Sequence, residues 1–145
     1  DDCDNGYILD GYPRNLEQAK IYEDLLKSLN KDLGIVIFFD IDKELAKRRT
    51  LSRIVCPECG TSYNLEVTAL KPKLEGICDK CNSRLNIRSD DNAESFITRF
   101  DTYINKTQDL INYYRDKDVL KVVKVEDGLS ANDIFKKVEE IVDND

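Results

Sequence analysis

Two cysteine pairs constrain this chain more than any other feature of it. Cys56-Pro57-Glu58-Cys59 and Cys78-Asp79-Lys80-Cys81 are C-x2-C knuckles with 18 residues, 60 to 77, between them. A tetrahedral four-thiolate site needs two tight turns that can face each other, and this spacing supplies both. Four protein ligands leave no open coordination position, so a metal held by Cys56, Cys59, Cys78 and Cys81 is structural. The spacing fits Zn²⁺, with rubredoxin-like iron as the alternative, since a four-thiolate cage accepts either. Gly60 follows the first knuckle, where a left-handed backbone is useful. The fifth cysteine, Cys3, belongs to no pair. From about Val55 to Ile87 the turn formers Pro57, Gly60, Pro72 and Gly76 break up short mixed stretches. These residues read as a small inserted module closed by its own cross-link rather than by a core.

The sequence around that module has a different grain. Tyr7-Ile8-Leu9 reads as a short strand ending at Asp10. Leu16, Ala19, Tyr22, Leu25, Leu26 and Leu29 then recur at helical spacing. Ile35 to Phe39 is an unbroken apolar run, the pattern of a strand covered on both faces in a parallel sheet. Asp42 is placed to cap a helix running to about Ile54. After the module, Asp91-Asn92-Ala93-Glu94 has the look of a capping box. A long helix carrying Phe96, Phe100, Tyr103, Thr107, Ile111 and Tyr114 follows it. Val119 to Val125 reads as another strand, and Ser130 with Asp133 opens a last helix. Strands alternating with helices predict an α/β fold with a parallel sheet. The organisation expected is a core over 1–53, an insert over 54–89 and the rest of the core over 90–145. Three core strands are few for such a sheet, as expected of a piece of a larger α/β domain.

Composition closes several routes. The 145 residues are about one domain's worth, and 22 basic residues against 29 acidic ones leave a net charge of −7. Whole-surface binding to nucleic acid or to an anionic membrane favours the opposite balance. Within the insert, Lys71, Lys73 and Lys80 are offset by Glu58, Glu66, Glu75 and Asp79, so the knuckles carry no basic stripe. There is no histidine, which removes every mechanism that needs a histidine base. No apolar run approaches the ~18 residues of a membrane span, and the opening DDCDNG has no secretory character. Cysteines at metal spacing, rather than disulfide spacing, favour a reducing, cytoplasmic setting.

The arginines point to an anion. Arg48, Arg49 and Arg53 lie in the segment leading into the insert, while Arg88 and Arg99 lie on the way out, beside Asp90 and Asp91. If Arg49 and Arg53 share one helix face at i and i+4, their repulsion is relieved by a ligand between them. Basic residues at both junctions favour a phosphate-binding cleft over which the insert closes. Asp10, at a strand's carboxyl end, stands where a carboxylate can hold hydrated Mg²⁺ or cap the following turn. Gly11-Tyr12-Pro13-Arg14 makes a turn that delivers Arg14. A P-loop would suit such a cleft, but G-x-x-x-x-G-K-[ST] does not occur in these residues. Gly6 and Gly11 have the glycine spacing, yet Tyr12 and Pro13 follow where Lys and Ser or Thr are needed.

Taken together, Asp10-Gly11-Tyr12-Pro13-Arg14 with Gln18, the hinge from Arg49 to Arg53, the four-cysteine insert, Arg88-Ser89-Asp90-Asp91 and Arg99 closely resemble a bacterial adenylate kinase with a zinc-bearing lid. The likeness runs in order to the last helix and covers the C-terminal two-thirds of that family's pattern. The family's P-loop and most of its AMP-binding domain fall outside it. The resemblance implies Mg²⁺-dependent phosphoryl transfer, ATP + AMP to two ADP, by a cytoplasmic monomer in nucleotide biosynthesis. It implies AMP contacts from Gly11, Tyr12, Pro13, Arg14, Gln18, Arg88 and Arg99, with Gln18 on the adenine edge. ATP contacts fall to Arg49, Arg53, Ser62, Tyr63 and Ser130. The catalytic set becomes Asp10, Arg14, Arg53, Arg88, Asp90, Asp91 and Arg99. Without a P-loop, the 145 residues by themselves are expected to have little or no kinase activity. The contrasting reading is a non-catalytic nucleotide- or partner-binding zinc module derived from a kinase.

Overall fold

The computed structural model describes residues 3 and 6–144. In chain order the elements are α1 (Leu16–Ser28), β1 (Val36–Ile41), α2 (Lys43–Leu51), β2 (Arg53–Val55), β3 (Ser62–Asn64), a single 3-10 turn (Thr68–Leu70), β4 (Asn86–Ile87), α3 (Ala93–Asp116), β5 (Leu120–Val125) and α4 (Ala131–Asp143). β1 and β5 form a two-stranded parallel sheet, and β3-β2-β4 form a separate three-stranded one. The architecture is therefore the expected α/β fold with an insert. Two compact units result. The first holds the chain up to Phe38 and Thr102–Lys121; the second holds Phe39–Asp101 and the residues from Val122 onward.

In the first unit, α1 starts at Asn15, whose side chain accepts from the Gln18 amide. Ala19 of α1 packs with Leu110 and Tyr114 of α3, and Leu33, Val36, Val119 and Leu120 close around them. Glu23 is buried beside this cluster and is held by Lys117 at 2.9 Å. Burial, with the Glu23 charge next, pushes the Tyr114 hydroxyl well above its ordinary range.

In the second unit, Asp42 caps α2 by accepting from the amides of Glu44 and Leu45, as its position predicts. The insert carries its own antiparallel sheet, with Ile54 opposite Tyr63 on one side and Ile87 on the other. Ile54, Cys56, Tyr63 and Cys78 are buried together, with Leu85 packed on them. Ser130 caps α4 through a reciprocal box with Asp133, again as expected. Hydrogen bonds from Ser130 hold the Asp133 carboxyl below its usual range.

Five local expectations change. Tyr7–Leu9 is not a strand, and Ile8 is 94% exposed; a strand exists only by its ladder, and these residues belong to no sheet. β1 is not covered on both faces, since Phe39 is exposed. α2 stops at Leu51, so Arg53 opens β2 and shares no helical face with Arg49; the repulsion expected of an i, i+4 pair does not arise. The cap of α3 is Asn92, which accepts from the Ser95 amide at 2.9 Å, rather than Asp91. The insert, finally, has a small core of its own beside its cysteines.

Candidate functional site: a four-thiolate centre and an arginine cluster

The two knuckles fold alike. Gly60 N donates to Cys56 O and Cys56 N to Thr61 O; at the second knuckle Asn82 N donates to Cys78 O and Cys78 N to Ser83 O. Each turn passes through the left-handed region at the residue after its second cysteine, Gly60 at φ 70° and Asn82 at φ 59°. Glycine and asparagine are the residues that reach that region at least cost. The outcome is four sulfurs within 4.8 Å of one another. Cys56 and Cys81 stand 3.4 Å apart, Cys59 and Cys78 3.5 Å. A tetrahedron with Zn–S bonds of ~2.3 Å has sulfur–sulfur edges of ~3.8 Å, so the cluster is of the right size for zinc.

Neighbours tune the thiols. The Tyr63 hydroxyl, 3.4 Å from Cys78 Sγ, brings that thiol down to about 6 despite its burial. Tyr63 is anchored in turn by the Asp79 amide at 2.7 Å. Hydrogen bonds from Thr61 lower Cys59. At Cys56 the Cys59 amide acts downward, but burial and the shared proton with Cys81 win, and the thiol sits at about 11. A cation at the centre favours the thiolate at all four.

Where β2 leaves α2 and α3 begins, Arg53 grips Asp91 with two nitrogens, at 2.7 Å from Nε and 2.6 Å from Nη2. The Asp91 side chain is fully enclosed. Arg88 donates to both oxygens of Asp90, at 3.2 and 3.3 Å, and Arg99 reaches the same carboxylate at 3.4 Å. The Arg53 hydrogen bonds hold the Asp91 carboxyl below the usual range, with the charges of Arg53, Arg88 and Arg99 acting the same way. Three guanidiniums thus converge on two carboxylates, a cluster with one positive charge in excess.

A second feature is an open cleft of about 210 Å³ between α2, the Glu66–Ala69 segment and the turn Asp127–Ser130. Arg49 Nη2 donates to the carbonyls of Glu126 and Leu129 across it, at 3.2 and 3.3 Å. Ser62 is exposed on β3, whereas Tyr63 is buried against Cys78, and Ser130 lies at the cleft. Arg48, Glu66 and Asp127 also line it; their pairings span 18 and 79 residues and left no local signal in the sequence.

The segment from Asp10 to Gln18 lies in the first unit and is held by its own contacts. Gly11 turns at φ 67°, and Arg14 Nε donates to Gly11 O at 2.6 Å. Gln18 Oε1 accepts from Arg14 N at 2.8 Å, and the Tyr12 hydroxyl reaches Gln18 O at 3.4 Å. Pro13 follows Tyr12 through a cis peptide bond. Asp10 is exposed at the bend. Among the described residues no helix is long and apolar enough to cross a membrane.

Fold and site together define an α/β protein with a four-cysteine insert whose two ends meet at paired arginines and aspartates. The adenylate kinase family profile matches residues 1–119. Adenylate kinase of Thermotoga petrophila is 39% identical over 141 residues, 97% of this chain and 62% of that protein. Those of Thermosipho africanus and Clostridium botulinum (strain Hall) are 39% and 37% identical, covering 98% and 100% of this chain and 64% and 65% of theirs. The chain belongs to the adenylate kinase family. It spans less than two-thirds of the length of these relatives.

Proposed function

We propose that the chain takes part in reversible phosphoryl transfer, ATP + AMP to two ADP. The observation that carries this reading is the convergence of Arg53, Arg88 and Arg99 on Asp90 and Asp91 where the insert joins its unit. Transfer of a phosphoryl group needs charge neutralisation and in-line positioning more than it needs a nucleophile. Arginine forks suit phosphate oxygens, and Arg88 and Arg99 are solvent-accessible enough to exchange Asp90 for a phosphate. Arg53 keeps Asp91 through Nε and Nη2 and turns its Nη1 toward the ATP phosphates. Mg²⁺ arrives with the nucleotide and neutralises its charge, and Asp10 is the carboxylate assigned to hold its water.

The AMP side is assigned to Gly11, Tyr12, Pro13, Arg14 and Gln18. Gln18 spends its oxygen on Arg14 N, leaving its amide nitrogen for an adenine edge. Arg49 and Ser130 at the cleft are assigned to the ATP base, with Ser62 of the insert as a further ATP contact. The Tyr63 side chain is committed to Cys78 and Asp79, so the contact assigned to Tyr63 falls to its main chain. The insert over 54–89 acts as the lid, kept in shape by its zinc, and its closure excludes water that otherwise hydrolyses ATP.

Residues 1–145 contain no G-x-x-x-x-G-K-[ST], so by themselves they are expected to bind nucleotide and turn it over poorly. The test is a coupled assay for ADP formation beside calorimetric binding of ATP and AMP, on the zinc-loaded chain. Binding that Arg88→Ala and Arg99→Ala weaken, with little turnover, supports the reading. Failure to bind either nucleotide refutes it and favours a partner-binding zinc module. Robust turnover refutes the expectation of inactivity while leaving the site in place.

A further inference from the structure

Arg48 has no place among the proposed ATP contacts, yet it is the side chain that spans the cleft. Its Nη2 lies 2.7 Å from Asp127 Oδ2 on one wall, and its Nη1 3.7 Å from Glu66 Oε2 on the other. Its neighbour Arg49 holds the backbone of the same turn through the Glu126 and Leu129 carbonyls. Consecutive arginines of α2 thus grip one turn by side chain and by main chain.

We infer that Arg48 is a positioning residue that sets the width of this cleft for a nucleobase, an inference that rests on the ATP-base assignment made above. The guanidinium is planar and rigid, so one group bonded toward both walls fixes their separation in a way that a flexible ammonium does not. The rest of the lining suits the faces of a flat ring: Leu45, Val67, Ala69 and Leu129 are aliphatic. At about 210 Å³ the cleft is smaller than the ~300–1,000 Å³ of a whole-ligand site, in keeping with one part of a nucleotide. Phosphates have their own cluster at Arg53, Arg88 and Arg99.

Charge gives Arg48 a second reason to be there. Glu66 and Asp127 are carboxylates on opposite walls of the cleft, and without the guanidinium between them they repel each other and push the walls apart. Arg48 draws the Asp127 carboxyl below its usual range, chiefly by its hydrogen bond and then by its charge. Removing Arg48 leaves the turn to Arg49 alone and sets the two carboxylates against each other. Removing Asp127 also leaves the turn to Arg49 but keeps Arg48 to offset Glu66.

The experiment measures calorimetric affinity of the zinc-loaded full chain for ATP and for inorganic tripolyphosphate, in wild type, Arg48→Ala, Arg48→Lys, Asp127→Asn and Arg48→Ala/Asp127→Asn. Zinc content and melting temperature confirm that each variant is folded. Arg48→Ala should weaken ATP about threefold to fivefold, the upper part of the range of an exposed ion pair, and leave tripolyphosphate within about twofold. Arg48→Lys should fall between wild type and Arg48→Ala for ATP. The double variant should lose less than the product of the two single losses, because one contact joins the pair. Equal losses for both ligands make Arg48 a phosphate ligand and overturn the inference, as does unchanged ATP affinity in Arg48→Ala. Wild-type chain that binds ATP no more tightly than tripolyphosphate overturns the base assignment itself, and the inference with it.

Discussion

Replacing Asp91 by asparagine tests the Arg53–Asp91 junction of the insert most directly. The Asp91 side chain is 0% exposed and takes both Arg53 nitrogens, whereas Arg53 is 33% exposed. Asparagine keeps the shape, removes the charge and turns one acceptor into a donor facing a guanidinium. Breaking a buried ion pair costs ~3–5 kcal/mol, and an exposed one contributes ~1 kcal/mol or less. Water reaches the abandoned Arg53, so the loss falls between these limits, at about 2 kcal/mol. With a urea slope of ~2 kcal/mol per molar, the unfolding midpoint of Asp91→Asn should drop by about 1 M. The pH dependence follows from the sign of the shift. Because the native carboxyl is held below its unfolded value, its contribution is complete above pH ~3.9 and is lost as pH falls through the lower native value. Urea melts of both zinc-saturated proteins between pH ~5 and ~8 should therefore show a constant gap. A gap below ~0.5 kcal/mol, or one that widens toward acid, sinks the argument that this pair holds the junction of the insert.

Other changes separate metal, turn and cap. Tyr63→Phe removes the hydroxyl that bonds Cys78 and the Asp79 amide. Zinc affinity, read by chelator competition, should fall about tenfold or more, as for other supports of metal ligands. Gly11→Ala places a Cβ 3.0 Å from Arg14 Nη2 on a backbone at φ 67°. It should strain the turn by ~1–2 kcal/mol and weaken AMP binding while leaving ATP binding unchanged. Ser130→Ala breaks the capping box of α4. The loss should be ~1 kcal/mol in a chemical melt, with Ser130→Asn retaining most of it.

The sheet-and-helix alternation was readable because each element announces itself locally. Asp42 and Ser130 cap helices from the positions their side-chain chemistry predicts, and Ile35–Phe39 has the apolar density that places β1 to within two residues of its observed bounds. Tyr7–Leu9 misled for the same reason: a β-like composition carries no information about a pairing partner, and no ladder forms there. Arg53 was misread because helical spacing does not say where a helix ends. One residue, Ser52, separates α2 from β2 and takes Arg53 from a helix face to a strand.

What the amino-acid order determined alone is the four-cysteine cluster. Cysteines with two residues between them, followed by a glycine or asparagine, fold into knuckles by short-range backbone geometry, and 18 intervening residues suffice to bring two knuckles together. What only the tertiary structure decided is which charge meets which. Arg53 with Asp91, and Arg48 with both Glu66 and Asp127, join residues 38, 18 and 79 positions apart. A carboxylate's choice among several nearby guanidiniums depends on distances of a few ångströms and on burial. Both are products of packing, and the linear order of residues does not contain them.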